Sequence, residues 1–170
     1  MAILEILKYP DPRLKRGSDA IVDVTDELRS FISDLEETMR AGPGGVGIAA
    51  PQVNVFNRIV IVDVSGRPKT PNHGCMILIN PELSQWEGVA VGREGCMSVP
   101  DYTGNVIRAE HISLHAMNIS GETVEYECEG YEARAVQHEI DHLNGMLFLD
   151  RLVSRRNDLF KRKVYKKKPQ

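Results

Sequence analysis

The stretch AVQHEIDHLNGMLFLD, Ala135 to Asp150, decides how the rest of this chain is read. His138 and His142 stand four residues apart with Glu139 between them. On a helix, residues at that spacing are neighbours on one face, so two imidazoles can reach a single ion. Glu139, beside the first imidazole, is placed to take a proton from a water held by that ion. Val136, Ile140, Leu143 and Leu147 form an apolar stripe roughly opposite, while Ala135 and Met146 accompany the histidines. A helix apolar on both sides is a buried one, with strands packed around it. Imidazoles and a carboxylate buried without partners are costly, and a metal ion offsets that cost.

Two imidazoles do not complete a site. One metallopeptidase class adds a glutamate from a later helix, but no Glu follows Glu139 here. Another extends to H-E-x-x-H-x-x-G-x-x-H. This chain follows that pattern through Gly145 and then has Phe148 where the third histidine would stand. The missing ligand therefore lies upstream. His111 and His115 alternate with Ile112, Leu114 and Ala116, which puts them on a strand's outer face with Ser113. Cys128 is in phase with Val124 and Tyr126 and reads as a small core residue. His73 and Cys75, in and just after PNHG, stay open as candidates. Cys96 is the strongest of the set. It sits in GREGCMSVPDY, between glycines and a proline, and reads as an irregular loop. A His₂Cys site closed by Cys96 leaves a position open for water, as a catalytic centre requires. Glu94 and Arg108 are expected to pair and hold the cysteine segment.

Outward from these residues, the chain reads as one domain spanning 1–170, since its 170 residues are too few to expect two and show no internal repeat. In TDELRSFISDLEETMRA, apolar Leu28, Phe31, Ile32, Leu35 and Met39 recur at helical spacing behind an N-capping Thr25. AGPGG ends that helix, and GPGGVGIAAP could be no more than a flexible loop. RIVIVDVS, CMILINP, HISLHAMNI and TVEYECEGY read as strands. Helical spacing then returns and is expected to run into a basic C-terminal helix or tail over 155–170. The fold expected is α+β, with mostly antiparallel sheets packed around a central metal-binding helix and with N- and C-terminal helices.

The three cysteines are too few and too odd in number for a disulfide framework. The N-terminal MAILEILKYPDP lacks the pattern of a secretory leader, and no apolar run is long enough to span a membrane. A cytoplasmic location is the expectation. The formal net charge of −3 conceals an asymmetry: residues 155–170 carry eight Lys or Arg against one Asp. Such a tail is either a solvated, fraying end or an attraction for a polyanion, RNA foremost; both readings stay open.

Three stretches now stand together: GVGIAAPQ (Gly45–Gln52), EGCMS (Glu94–Ser98) and QHEIDH (Gln137–His142). In order and spacing they resemble the three signature motifs of bacterial peptide deformylases. YPDPRLK near the N-terminus and the chain length resemble that family as well, so the likeness covers nearly the whole chain. The resemblance implies that Cys96, His138 and His142 are metal ligands and Glu139 the general acid/base. It implies that Gln52 donates its side-chain amide, and Met97 its backbone N–H, to a developing oxyanion. Val46 and Gly47 would line the cleft where an extended peptide lies. Family members usually carry Leu where Met97 stands, a change that leaves the backbone donor in place. The implied ion is Fe²⁺, with Zn²⁺, Ni²⁺ or Co²⁺ able to substitute. The implied reaction removes the formyl group from N-formyl-methionyl nascent peptides, metal-bound hydroxide attacking the formyl carbonyl. Competing readings are a closed structural-metal protein, a zincin-type endopeptidase and an inactive paralogue.

Overall fold

The computed structural model describes residues 2–162. Within them, helix α1 covers Asp26–Ala41 and helix α2 covers Gly130–Leu143. Strands β1 (Gly47–Ala49), β2 (Ile59–Val62), β3 (Met76–Glu87), β6 (His111–Met117) and β7 (Thr123–Glu129) form a five-stranded sheet in the order β1-β2-β3-β6-β7. Strands β4 (Ala90–Cys96), β5 (Val99–Arg108) and β8 (Leu159–Lys161) form a second, three-stranded sheet. Every strand pair in both sheets is antiparallel. The α+β expectation therefore holds.

β2 shows why the layers assemble. Its sequence, IVIV, is buried at all four positions, and successive side chains of a strand point to opposite faces. Val60 and Val62 pack with Val136, Ile140 and Leu143 of α2. Ile59 and Ile61 pack with Ile32, Leu35 and Met39 of α1. The sheet is thus covered by a helix on each face, and α2 takes the inner position expected of it. α1 begins as its sequence implies: the Thr25 hydroxyl accepts from the Leu28 N–H at 3.1 Å, and Asp26 and Glu27 occupy the positive first turn.

Two expectations need correction, and one open alternative falls away. Among the described residues, no α-helix follows Leu143. α2 stops at Leu143, and Gly145 adopts φ +74° where a Cβ would collide with the Lys15 carbonyl. The chain turns there, so that Leu147 and Phe148 bury against Val99 and Val106 rather than extending the helical stripe. Leu159–Lys161 then pairs with β5 as a strand, Phe160 opposite Thr103. The rest of the expected C-terminal helix, residues 163–170, lies outside the described residues. Secondly, Cys96 is not in a loop. It ends β4, and a tight turn at Met97–Ser98 leads straight into β5. Alternation is hard to see there because Gly92 and Gly95 leave gaps in it and charged Glu94 points inward. Thirdly, GPGGVGIAAP is more than a flexible loop: it forms a turn, then β1 paired with β2, then a 3-10 turn that buries Gln52.

Leu35 is fully buried between α1 and the sheet. Leu35→Ala should lower unfolding free energy by about 2–5 kcal/mol in urea denaturation with native circular dichroism retained. An unchanged midpoint would contradict the packing of α1 on this core.

Candidate metal centre and active site

α2 presents one flank to the five-stranded sheet and the other to the second sheet. On that second flank His138 and His142 lie one helical turn apart, their rings edge to face with centroids 5.1 Å apart. Cys96 meets them from the end of β4, its Sγ 3.3 Å from His142 Nε2. One ligand atom from each of Cys96, His138 and His142 lies within 4.8 Å of the other two. The elimination that singled out Cys96 therefore agrees with its position. His73, left open in the sequence, is instead paired with Glu132, while Cys75 is exposed beside Glu36. His111 and His115 lie on the outer face of β6 as expected.

The donor set suits a borderline-soft divalent cation: one sulfur and two imidazole nitrogens, in a cleft of about 550 Å³ that also receives Glu139. Ser98 N–H points at Cys96 Sγ from 3.4 Å, and Gln52 Nε2 stands 3.5 Å from it. Beyond the three candidates lies a buried ionic network. The Glu94 carboxylate accepts from Arg108 Nε and Nη2, both at 2.9 Å, from Arg134 Nη1 at 2.8 Å and from His138 Nδ1 at 2.9 Å. The last bond orients the His138 ring, with Nε2 left to face the site. Arg108 also donates to Asp141, which Arg151 holds from the other side at 2.6 Å. The expected Glu94–Arg108 pair is present, and larger than expected.

These contacts set the ionisation of the site. Burial would raise the Glu94 carboxyl, but hydrogen bonds from His138 and Arg108 outweigh it and hold the group well below the carboxylate range. Burial alone would lower His138, yet its contacts with Cys96 and Glu94 bring it well above the usual imidazole value. Burial and the neighbouring His138 push His142 well below that value, toward the neutral form a ligand needs. Glu139 is pushed up to about 7, chiefly by burial. Its Oε1 lies 3.8 Å from His138 Nε2 and 4.0 Å from His142 Nε2, and its Oε2 is buried without a hydrogen-bond partner.

The glycine-rich stretch supplies the opposite wall. At Gly47 a Cβ would stand 3.0 Å from Glu139 Cγ, so any side chain there would press the Glu139 carboxylate out of its present position by a few tenths of an ångström. At Gly42 a Cβ would collide with the Met97 sulfur. Val46, Gly47, Gln52, Cys96, Met97, His138 and Glu139 all line one cleft, and His142 lies beneath it. Gln52 is itself oriented: its Oε1 accepts from Ala49 N–H at 2.9 Å, and its Nε2 donates to Ser98 Oγ at 3.0 Å. Sequence reading missed Ser98, Arg134 and Asp141. Arg134 precedes His138 by four residues and so shares its helix face, a signal that was available. Nothing local links Ser98 to Gln52 or Asp141 to Arg108.

Arg108→Ala would remove the cation that bridges two buried carboxylates, leaving Glu94 with Arg134 and Asp141 with Arg151. It should cost about 3–5 kcal/mol and weaken metal retention. Thermal unfolding together with metal analysis tests this, and an unchanged midpoint with unchanged metal content would remove Arg108 from its supporting position.

The family described as polypeptide deformylase matches residues 3–158. A peptide deformylase of Thermodesulfovibrio yellowstonii is 41% identical over 168 residues, covering 99% of this chain and 100% of that one. The crystal structure of a peptide deformylase from Legionella pneumophila superposes with a TM-score of 0.82 at 36% identity, over 91% of this chain and 89% of the other. A class I type b peptide deformylase from Acinetobacter baumannii, solved with Met-Ala-Ser bound, gives 0.82 at 36% identity over 88% and 98% of the two chains. Sequence match, fold and site agree, and the chain belongs to the peptide deformylase family.

Proposed function

We propose that this enzyme removes the formyl group from N-formyl-methionyl nascent peptides as formate, using Cys96, His138 and His142 to hold one divalent ion and Glu139 as general acid/base. One observation carries the reading. The only acid that reaches this sulfur–imidazole cluster without a neutralising cation is Glu139, among the described residues, and its Oε2 has no partner. Fe²⁺ is the ion we favour, with Zn²⁺, Ni²⁺ or Co²⁺ as alternatives suited to the same donors. When bound, such an ion supplies Lewis acidity toward water and the formyl oxygen.

The chain's own groups would do the rest. A carboxyl brought to about 7 by burial can accept a proton from water and return it to the departing amine at neutral pH. Gln52 Nε2 and the Met97 N–H supply donors for the oxyanion, and the bond from Ala49 keeps the Gln52 amide from rotating. β1 and β4 are each the edge of their sheet, and both face the cleft through Val46–Gly47 and Arg93–Cys96. An extended peptide can therefore add its backbone between two edges, a recognition mode that does not depend on side chains. Tyr131 and Ala135 also line the cleft and offer apolar surface for a methionine side chain. The Met-Ala-Ser bound to the Acinetobacter baumannii relative fits a site of this form.

Among the described residues, no helix is long and apolar enough to cross a membrane. We place the enzyme in the cytoplasm, where formylated chains emerge from ribosomes. Its basic C-terminal segment is our candidate for contact with ribosomal RNA.

Formate release from formyl-Met-Ala-Ser, measured on protein purified without oxygen, tests the proposal. Glu139→Ala should lose about 10²–10⁴-fold in kcat/KM while keeping its metal. Gln52→Leu should lose about 10²–10³-fold. Cys96→Ser should lose metal. Equal metal content in all variants with no formate from the wild type would favour a structural ion. Deleting residues 155–170 should reduce co-sedimentation with ribosomes at low salt; undiminished co-sedimentation would rule out the tail as the contact.

A further inference from the structure

A second cluster of metal-ligating side chains lies outside the cleft and shares no residue with it. His73 comes from the connection between β2 and β3, Cys128 from the end of β7, and Glu132 from the first turn of α2. One ligand atom from each lies within 4.8 Å of the other two. His73 Nδ1 is 2.6 Å from Glu132 Oε1, and the His73 backbone N–H donates to Glu132 Oε2 at 2.7 Å. The Glu132 side chain is 1% exposed and that of His73 is 38% exposed, so the cluster has a buried floor and an open side. The open side faces a groove over β3, β6 and β7, whose lining includes His73, Cys128 and Glu132. Tyr126 meets the His73 ring edge to face at 5.2 Å and limits its rotation.

From this geometry we propose that His73, Cys128 and Glu132 form a second, peripheral divalent-cation site that takes zinc. The ligand set is nitrogen, sulfur and oxygen, which zinc accepts together and which the hard cations magnesium and calcium do not. A neutral imidazole, a thiolate and a carboxylate offset the charge of a divalent ion, and the groove leaves room for a water as fourth ligand. On binding, the Cys128 thiol proton passes to buffer. His73 ligates through Nδ1 and keeps its remaining proton on Nε2. The ion would join three segments that are far apart in sequence, the β2–β3 connection, β7 and α2. It acts as a staple at the start of the helix that carries His138 and His142.

The competing account is a hydrogen-bonded cluster that needs no ion, since an acid in the first turn of α2 is favoured by the helix dipole. Zinc titration of the full chain separates the two. The exposed Cys75 is first changed to Ser to remove a stray thiol, and the Cys96 site is preloaded with zinc. Elemental analysis after gel filtration should show total zinc rising from one to two per chain, with a higher melting temperature. His73→Ala and Cys128→Ser should each return the count to one and abolish the rise in melting temperature, while formate release stays at the parent level. His73 is partly exposed, so its variant keeps the test valid even if Cys128→Ser folds poorly. Zinc that stays at one per chain in the parent, or a second equivalent that survives His73→Ala, would overturn the proposal.

Discussion

The Glu94 carboxylate is the interaction on which the site depends. It leaves β4 beside Cys96, and within 3 Å it accepts hydrogen bonds from His138 and Arg134 of α2 and from Arg108 of β5. It therefore ties the strand that carries the thiol to the helix that carries both imidazoles. A hydrophobic contact could hold the two elements together, but it could not set their registry, because dispersion has no direction. A carboxylate surrounded by fixed donors is directional. Such a buried network adds little net stability, since desolvation of the ions roughly offsets their attraction. What it contributes here is position.

The network also separates the charges of the site. Arg108, Arg134 and Arg151 gather around Glu94 and Asp141. Glu139 receives none of those guanidinium groups as a hydrogen-bond partner. Two glutamates on adjoining elements thus end with opposite character. Glu94 is held ionised by its donors, and Glu139 is raised by burial toward neutrality. Environment rather than residue type assigns the roles.

Closeness of backbone is the other constraint. β1 passes Glu139 without a side chain at Gly47, and Gly42 leaves space for Met97. The cleft is therefore narrow at its floor and bounded by two sheet edges, which suits a chain read through its backbone. The same stretch buries Gln52 and holds it by both ends of its amide. The glycines and the glutamine of one motif serve the site in different ways, and neither role would be evident from the other.

The helix of His138 and His142 was legible because its information is local: a spacing of four places two side chains on one face whatever surrounds them. α1, with its Thr25 cap and apolar stripe, was legible for the same reason, as were β2, β6 and β7. Cys96 was reached by elimination, but its place at the end of a strand was not, because glycines and an inward-pointing Glu94 mask the alternation. The strand at Leu159–Lys161 was read as part of a basic helix or tail because a segment of three residues takes its conformation from the partner it pairs with. Sequence by itself determined the helix periods, the candidate metal-binding residues and the motifs that announce the family. Only the tertiary structure decided that Ser98 would meet Gln52, that Arg108 would bridge Glu94 and Asp141, and that His73 would meet Cys128 and Glu132. Those contacts join residues distant in the chain, and no local pattern encodes which distant groups a packed core will bring within hydrogen-bonding reach.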